Sequence, residues 1–199
     1  DIKRLFYVMA FSLSQRVEYC GELTGNHVIN NARALYFFGE AFNKIEYVNI
    51  AKEIFLIQFP ELITKKGFLR EGSSHYQLLF TRWLYEILWV SKNYENSNIY
   101  NIVYPFYKIM NKSCEFFYVH SANNRSTTIP LIGDISPDFS PEWLVNSPFD
   151  NKIQGYSWKN LWPNYDLLID ENDNIDSKIE TDLNYDKESG WYKIINSKA

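Results

Sequence analysis

Two short stretches of this chain gather side chains that hold anions and move protons. The first is GNHVINNARAL, Gly25 to Leu35, which carries Asn26, His27, Asn30 and Asn31 at the front of an amphipathic helix. Asparagine competes with the backbone for hydrogen bonds and is a mediocre helix former, so its repeated use calls for a reason. At helical spacing His27, Asn30 or Asn31 and Ala34 share one face, opposite the stripe of Val28, Ala32 and Leu35. Amides and a neutral imidazole hold a carboxylate or hydroxyls without the cost of desolvating Lys or Arg. The plainer reading is a solvated face with Asn26 as a helix cap.

The second stretch is GFLREGSSHYQLL, Gly67 to Leu79, with Arg70, Glu71, Ser73, Ser74, His75 and Tyr76 in one loop and one helical turn. Here a helix N-terminus, which favours anions, coincides with a tyrosine able to give or take a proton. The plainer reading makes Tyr76 the first rung of an apolar stripe, and Glu71 and Ser73 a capping arrangement. One segment alone does not choose between them.

The elements that must position these groups are helical in period. Tyr76, Leu79, Phe80, Trp83, Leu84, Ile87 and Leu88 follow the i, i+3, i+4, i+7 pattern, giving a helix over 74–93 capped by Ser73 or Ser74. Further helices are expected over about 3–20, 24–42 with Thr24 as cap, 43–59 stopping at Pro60, and from about Ile99 or Pro105 to 119, where Pro105 either begins the helix or kinks it. After His120 the chain turns rich in Ser, Asn, Pro and Gly, and from 151 to 188 it is polar and acidic. SGWYKIINS, Ser189 to Ser197, reads as a strand with no partner in the chain.

Composition bounds the function. With 199 residues, 46% hydrophobic and 22% charged, the chain has ordinary globular composition. A net charge of -4 argues against a general nucleic-acid binder or a protein for anionic membranes, and no apolar run reaches the roughly 18 residues of a membrane span. The aromatic share of 18% is high, which suits either a core of large side chains or stacking platforms for sugar rings. Cys20 and Cys114 lack metal-type spacing and are expected to be free, buried thiols.

GNHVINNARALYFFGEAF followed some forty residues on by GFLREGSSHYQLL resembles the catalytic domain of the heparinase II/III group of polysaccharide lyases. The matched positions are Asn26 and His27, then Asn31 to Leu35, then Glu71, Ser73 and Tyr76. IPLIGDISPD, Ile129 to Asp138, is similar to that family's Pro-Leu-x-Gly-Asp loop, and ESGWYKIIN resembles the entry to its C-terminal β-sandwich. The resemblance implies an all-α fold, an incomplete α/α toroid of antiparallel helical hairpins, with the start of a β-sandwich. It implies a partial toroid domain over 1–150, a connector over 151–188 and the first strand of the sandwich over 189–199, in a chain truncated at both ends.

The activity so implied is β-elimination at a uronic acid of an acidic polysaccharide. Asn26, with His27 beside it, would neutralise the sugar carboxylate, and Tyr76 would give a proton to the leaving oxygen. For Tyr76 also to take the C5 proton, its pKa must be lowered from about 10, by the helix N-terminus, His75 or Arg70. Arg70, Asn30, Asn31 and His75 would bind substrate, and Glu71 and Ser73 would orient their neighbours. No cofactor is expected in this chain; where the family uses a metal, or a further histidine, the β-sandwich supplies it, so the chain alone is expected to be inactive or feeble. A periplasmic or secreted location follows from the resemblance alone. The competing readings are a non-catalytic glycan-binding domain of the same fold, and a helical glycoside hydrolase, for which no paired carboxylates are recognisable.

Overall fold

The computed structural model describes residues 1–21, 24–120, 127–136, 138–140, 143–144 and 185–193. Most of the connector expected over 151–188, and the strand residues beyond 193, lie outside them. The chain divides into two compact units, Asp1–Leu62 with Trp83–Tyr107, and Ile63–Arg82 with Lys108–Ala199. The fold is mostly helical, with five α-helices among the described residues: α1 Ile2–Ser14, α2 His27–Ala41, α3 Ile45–Leu62, α4 Ser74–Asn93 and α5 Ser97–Cys114.

In the first unit, α2 and α3 form a hairpin across residues 42–44, where Asn43 takes a φ of 54°. The two helices approach closely at Gly39, where an added Cβ would lie 2.7 Å from a Val48 methyl and 3.0 Å from the Lys44 carbonyl. Val28, Ala32, Leu35 and Tyr36 are buried as their spacing requires, while His27 and Ala34 face outward. Phe55 and Phe59 stack 5.1 Å apart, and Phe106 extends the cluster. A polar seam joins α2 to the later turns of α4: Arg33 pairs with Glu86, the Tyr36 hydroxyl lies 3.0 Å from that of Ser91, and Asn96 donates to Glu40 at 2.6 Å. Residue numbers rise together along this seam, so the two helices run in the same direction.

Several boundaries differ from the sequence reading, each for a local reason. Helix α1 ends at Ser14 rather than Cys20, because the following residues are drawn to other partners: Glu18 N–H donates to Asn31 Oδ1 at 2.9 Å and Cys20 N–H to Thr24 Oγ1 at 2.9 Å. Thr24 is therefore committed to a turn, where its hydroxyl also donates to the Gly21 carbonyl, and Asn26 takes the cap position of α2. Helix α3 runs through Pro60 to Leu62; so near the C-terminal end a proline removes only one intrahelical bond. Helix α5 starts at Ser97, capped by Asn96, whose side chain accepts from Ile99 N–H at 3.1 Å, so Pro105 is interior. Cys20 is exposed, against expectation, and Cys114 is buried, its thiol pushed up to about 12 by desolvation.

Helix α1 is attached lightly. Ala10 is its only buried residue, and Leu5, Val8, Met9 and Phe11 are each more than half exposed. Between α1 and α2 lies an apolar cavity of about 810 Å³, lined by Phe6, Met9, Leu13, Leu35, Phe38 and Phe42 among others.

The second unit is organised by a buried amide. Thr64–Leu69 forms a tight turn closed by an Ile63–Leu69 bridge and by Thr64, whose hydroxyl accepts from Phe68 N–H. Gln77, on the first turns of α4 and 1% exposed, holds this turn by two bonds and ties it to α5 by a third. Its Oε1 accepts from Leu69 N–H at 2.7 Å, and its Nε2 donates to the Gly67 carbonyl and to Ser113 Oγ, both at 2.9 Å. Gly67 itself has a φ of 85° and presses on the backbone of Ile109 and Met110, so no side chain fits there.

Among its described residues the unit also holds two short antiparallel strand pairs. Val119–His120 (β1) pairs antiparallel with Thr127–Thr128 (β2), and Tyr185–Asp186 (β3) with Trp191–Tyr192 (β4). The strand expected to stand alone thus has a local partner, across a turn in which Gly190 takes a φ of 76°. That hairpin is anchored by Trp191 against Phe117, by Lys193 donating to the Phe116 carbonyl at 2.9 Å, and by Lys66 donating to the Tyr185 carbonyl.

Replacing Gln77 by Ala leaves the buried Leu69 N–H without its acceptor, while the Gly67 carbonyl keeps Ser113 Oγ as a donor at 2.6 Å. At about 1–3 kcal/mol for one unmet group, the variant should lose about 2 kcal/mol of stability. Urea unfolding checks this, with a lower midpoint at unchanged slope as the expected result.

Candidate functional site

The two chemistry-bearing stretches fall in different units. In the first unit, Asn26 is 2% exposed and opens α2 with right-handed backbone angles; its side chain makes no capping bond. Its neighbour His27 is the outward member of the pair. The His27 side chain is 67% exposed, and its Nδ1 lies 3.1 Å from a carboxylate oxygen of Glu18. Asn30 and Asn31 are half-buried, and Asn31 accepts the Glu18 backbone N–H. One of the asparagines therefore ties the preceding segment to the helix.

In the second unit, Ser73 caps α4. Its Oγ accepts from Tyr76 N–H at 3.0 Å and donates to the Asp134 carbonyl at 2.5 Å. Ser74 adds a second tie, donating to the Pro130 carbonyl at 2.5 Å and accepting from Ile132 N–H at 3.0 Å. Gly133, with a φ of 79°, lies so close that a Cβ there would be 2.6 Å from the Gly72 carbonyl. The Pro-Leu-x-Gly-Asp-like loop is thus laced to the helix turn that carries Tyr76. Tyr76 is half-buried at this junction.

The remaining residues of this stretch have distinct surroundings. Arg70 is exposed and stands 3.9 Å from Glu188. Glu71 is exposed as well. His75 is fully buried, its Nε2 2.9 Å from the Phe139 carbonyl and its ring edge-on to Tyr76 at 6.1 Å. On the same helix the Arg82 guanidinium lies over the stacked rings of Phe139 and Trp143, 4.9 and 4.6 Å from their centres. That packing fixes the segment which His75 touches.

The electrostatics at Tyr76 run opposite to the expected lowering. Its phenol is held above the ordinary tyrosine value, first by burial and then by the charges of Asp134, Glu71 and Asp138. Such a phenol stays protonated through the neutral range and is suited to giving a proton rather than taking one.

Three residues escaped the sequence reading. Gln77 was signalled only as an amide within an apolar stripe. Asp138 bears on Tyr76 through a loop whose path no local pattern reveals. Glu18 reaches His27 from outside any helix. The side chain of His120 lies outside the described residues. Among the described residues no three His, Cys, Asp or Glu side chains gather to hold a metal ion, and no helix is long and apolar enough to cross a membrane. No family model matches the chain, and neither a curated protein nor a solved structure does.

The Tyr76 ionisation is directly measurable. Subtracting the alkaline ultraviolet titration of Tyr76→Phe from that of the parent should give a phenol that ionises above the ordinary value of about 10. Asp134→Asn removes one of the raising charges and should move that titration down.

Proposed function

We propose that this chain is catalytic-domain sequence of a polysaccharide lyase that cleaves a uronic-acid polymer by β-elimination. The observation that carries the proposal is Tyr76: a half-buried phenol, kept neutral by its surroundings, held on the first turn of α4 by Ser73 and by the Ile129–Asp138 loop. The motif resemblance supplies the reaction, and this geometry supports the assignment of its acid.

In the reaction a base takes the C5 proton, and the electron pair left behind is delocalised into the sugar carboxylate as an enediolate. The pair then forms the C4–C5 double bond as the bond from C4 to the glycosidic oxygen breaks. Tyr76 gives its proton to that departing oxygen. The carboxylate charge opposes carbanion formation and must be neutralised by donors, the part assigned to Asn26 with His27 beside it. His27 is the exposed member of that pair, so it meets the sugar first, and Asn26 contributes from beneath. Arg70 offers a planar guanidinium for the carboxylate or sulfate of a further sugar, in exchange for its long contact with Glu188. Glu71 and Ser73 position this turn.

An α/α toroid is the fold that goes with this reading. Two successive hairpins, α2–α3 and α4–α5, whose leading helices run side by side in the same direction, are the repeat from which such rings are built. A C-terminal β-sandwich remains part of the proposal, with Tyr185–Tyr192 as its entry.

The test is ultraviolet detection of unsaturated product across a panel of uronic-acid polymers, using the protein that carries this chain with its adjoining sequence. Tyr76→Phe should keep its stability and lose at least ~100-fold in turnover, the scale of a missing general acid. Asn26→Ala should lose turnover strongly, with a milder loss of affinity. Near-normal elimination by Tyr76→Phe would sink the mechanism. Polymer binding with no elimination by the parent would make the chain a glycan-binding domain.

A further inference from the structure

Among the described residues, the contact described above engages the His27 imidazole at Nδ1. An ionised carboxylate has no proton to give, so the 3.1 Å approach of Glu18 to Nδ1 favours the form of the ring that carries its proton on Nδ1. A neutral ring then carries its lone pair on Nε2. Glu18 is not a passing surface charge, because its own backbone N–H is tied to Asn31 Oδ1 at 2.9 Å, on the helix that carries His27. The segment after α1 leaves its helical path at the same place, and the Cys20–Thr24 turn that follows is closed by the Thr24 hydroxyl.

We infer that Glu18 is a positioning residue for His27: it selects the Nδ1–H tautomer and turns Nε2 outward as a proton acceptor, while Asn31 holds Glu18 in reach. The inference rests on the lyase reading for its place in a reaction. It changes what His27 offers there. With Nδ1–H committed to Glu18, a neutral His27 presents no second N–H to a sugar carboxylate, and that donation falls to Asn26. The outward lone pair of Nε2 is instead suited to accepting the proton that leaves C5, complementing a Tyr76 that keeps its own proton until the glycosidic oxygen departs. The pairing also gives the Asn31 amide oxygen a task, that of holding the residue which orients the imidazole.

An exposed ion pair contributes little to stability, so a structural role alone would leave little trace, and the tautomer is the sharper readout. The chain has three histidines, so long-range proton–nitrogen NMR of the imidazoles at alkaline pH is assignable, with His27→Asn identifying the resonance. The parent should show His27 protonated on Nδ1. Glu18→Ala should move it toward the Nε2–H form that free imidazole prefers, Asn31→Ala should move it part of the way, and Glu18→Asp should retain much of the parent pattern. In the elimination assay Glu18→Ala should lose about 10-fold to 100-fold in kcat with KM little changed and melting temperature unchanged, as for loss of an orienting partner. A His27 spectrum that is the same in parent and Glu18→Ala overturns the inference. The expected spectra in a parent that eliminates no uronic-acid polymer uphold the Glu18–His27 pairing and overturn the lyase reading instead.

Discussion

Gln77 sits wholly buried one residue after Tyr76, and its amide joins three elements that apolar contact alone would not hold in register. Dispersion and hydrophobic burial are tolerant of small slides; a carboxamide with three bonds of 2.7–2.9 Å is not. Because Gly67 leaves room for its turn to lie against the backbone of α5, the Gln77 clamp sets the height of residues 67–69 against α4. Arg70 and Glu71 follow directly from that turn, and Ser73 begins the helix. The residues with chemical potential in this stretch therefore inherit their position from an amide that has none.

The same unit shows how backbone and charge divide the work at Tyr76. Ser73 and Ser74 use hydroxyls, which donate and accept at once, to connect the first turn of α4 to the 130–134 loop without introducing charge. Charge arrives separately, from Asp134, Asp138 and Glu71, and acts on the phenol through space. In the first unit the division is reversed. There the polar seam of Arg33 with Glu86, Tyr36 with Ser91 and Glu40 with Asn96 aligns two helices, and burial holds the Tyr36 phenol protonated.

The extent to which all this was legible in the sequence follows from the range of the forces involved. Helix α4 was readable to both ends, because its stripe, its serine cap and its polar terminus are all local signals. The outward face of α2 was readable for the same reason. The end of α1 and the start of α2 were not, since the bonds that set them join Glu18 to Asn31 and Cys20 to Thr24, and propensity yields to such contacts. The prolines misled in a related way: Pro60 and Pro105 each forbid one bond, and packing of Phe59 and Phe106 keeps both helices going. At the candidate site, the identity of Tyr76 was visible but the sign of its perturbation was not. That sign comes first from burial and then from charges that include Asp134 and Asp138, which lie some sixty residues away in a loop tied to this turn by two serine hydroxyls.

The light attachment of α1 sets the order in which the chain opens. A helix with one buried residue, attached chiefly by the rings of Phe6 and Tyr7 against Phe38 and Phe42, can lift away without disturbing the Phe55–Phe59 stack. Its amides belong to the low-stability end of the molecule, exchanging with solvent through local opening, while those of α4 wait for global unfolding. Since Glu18 lies just beyond the end of α1, each such excursion pulls on the short tether that reaches His27. Fluctuation at the chain's first helix is thereby passed to an imidazole on the second, through a few residues of irregular backbone.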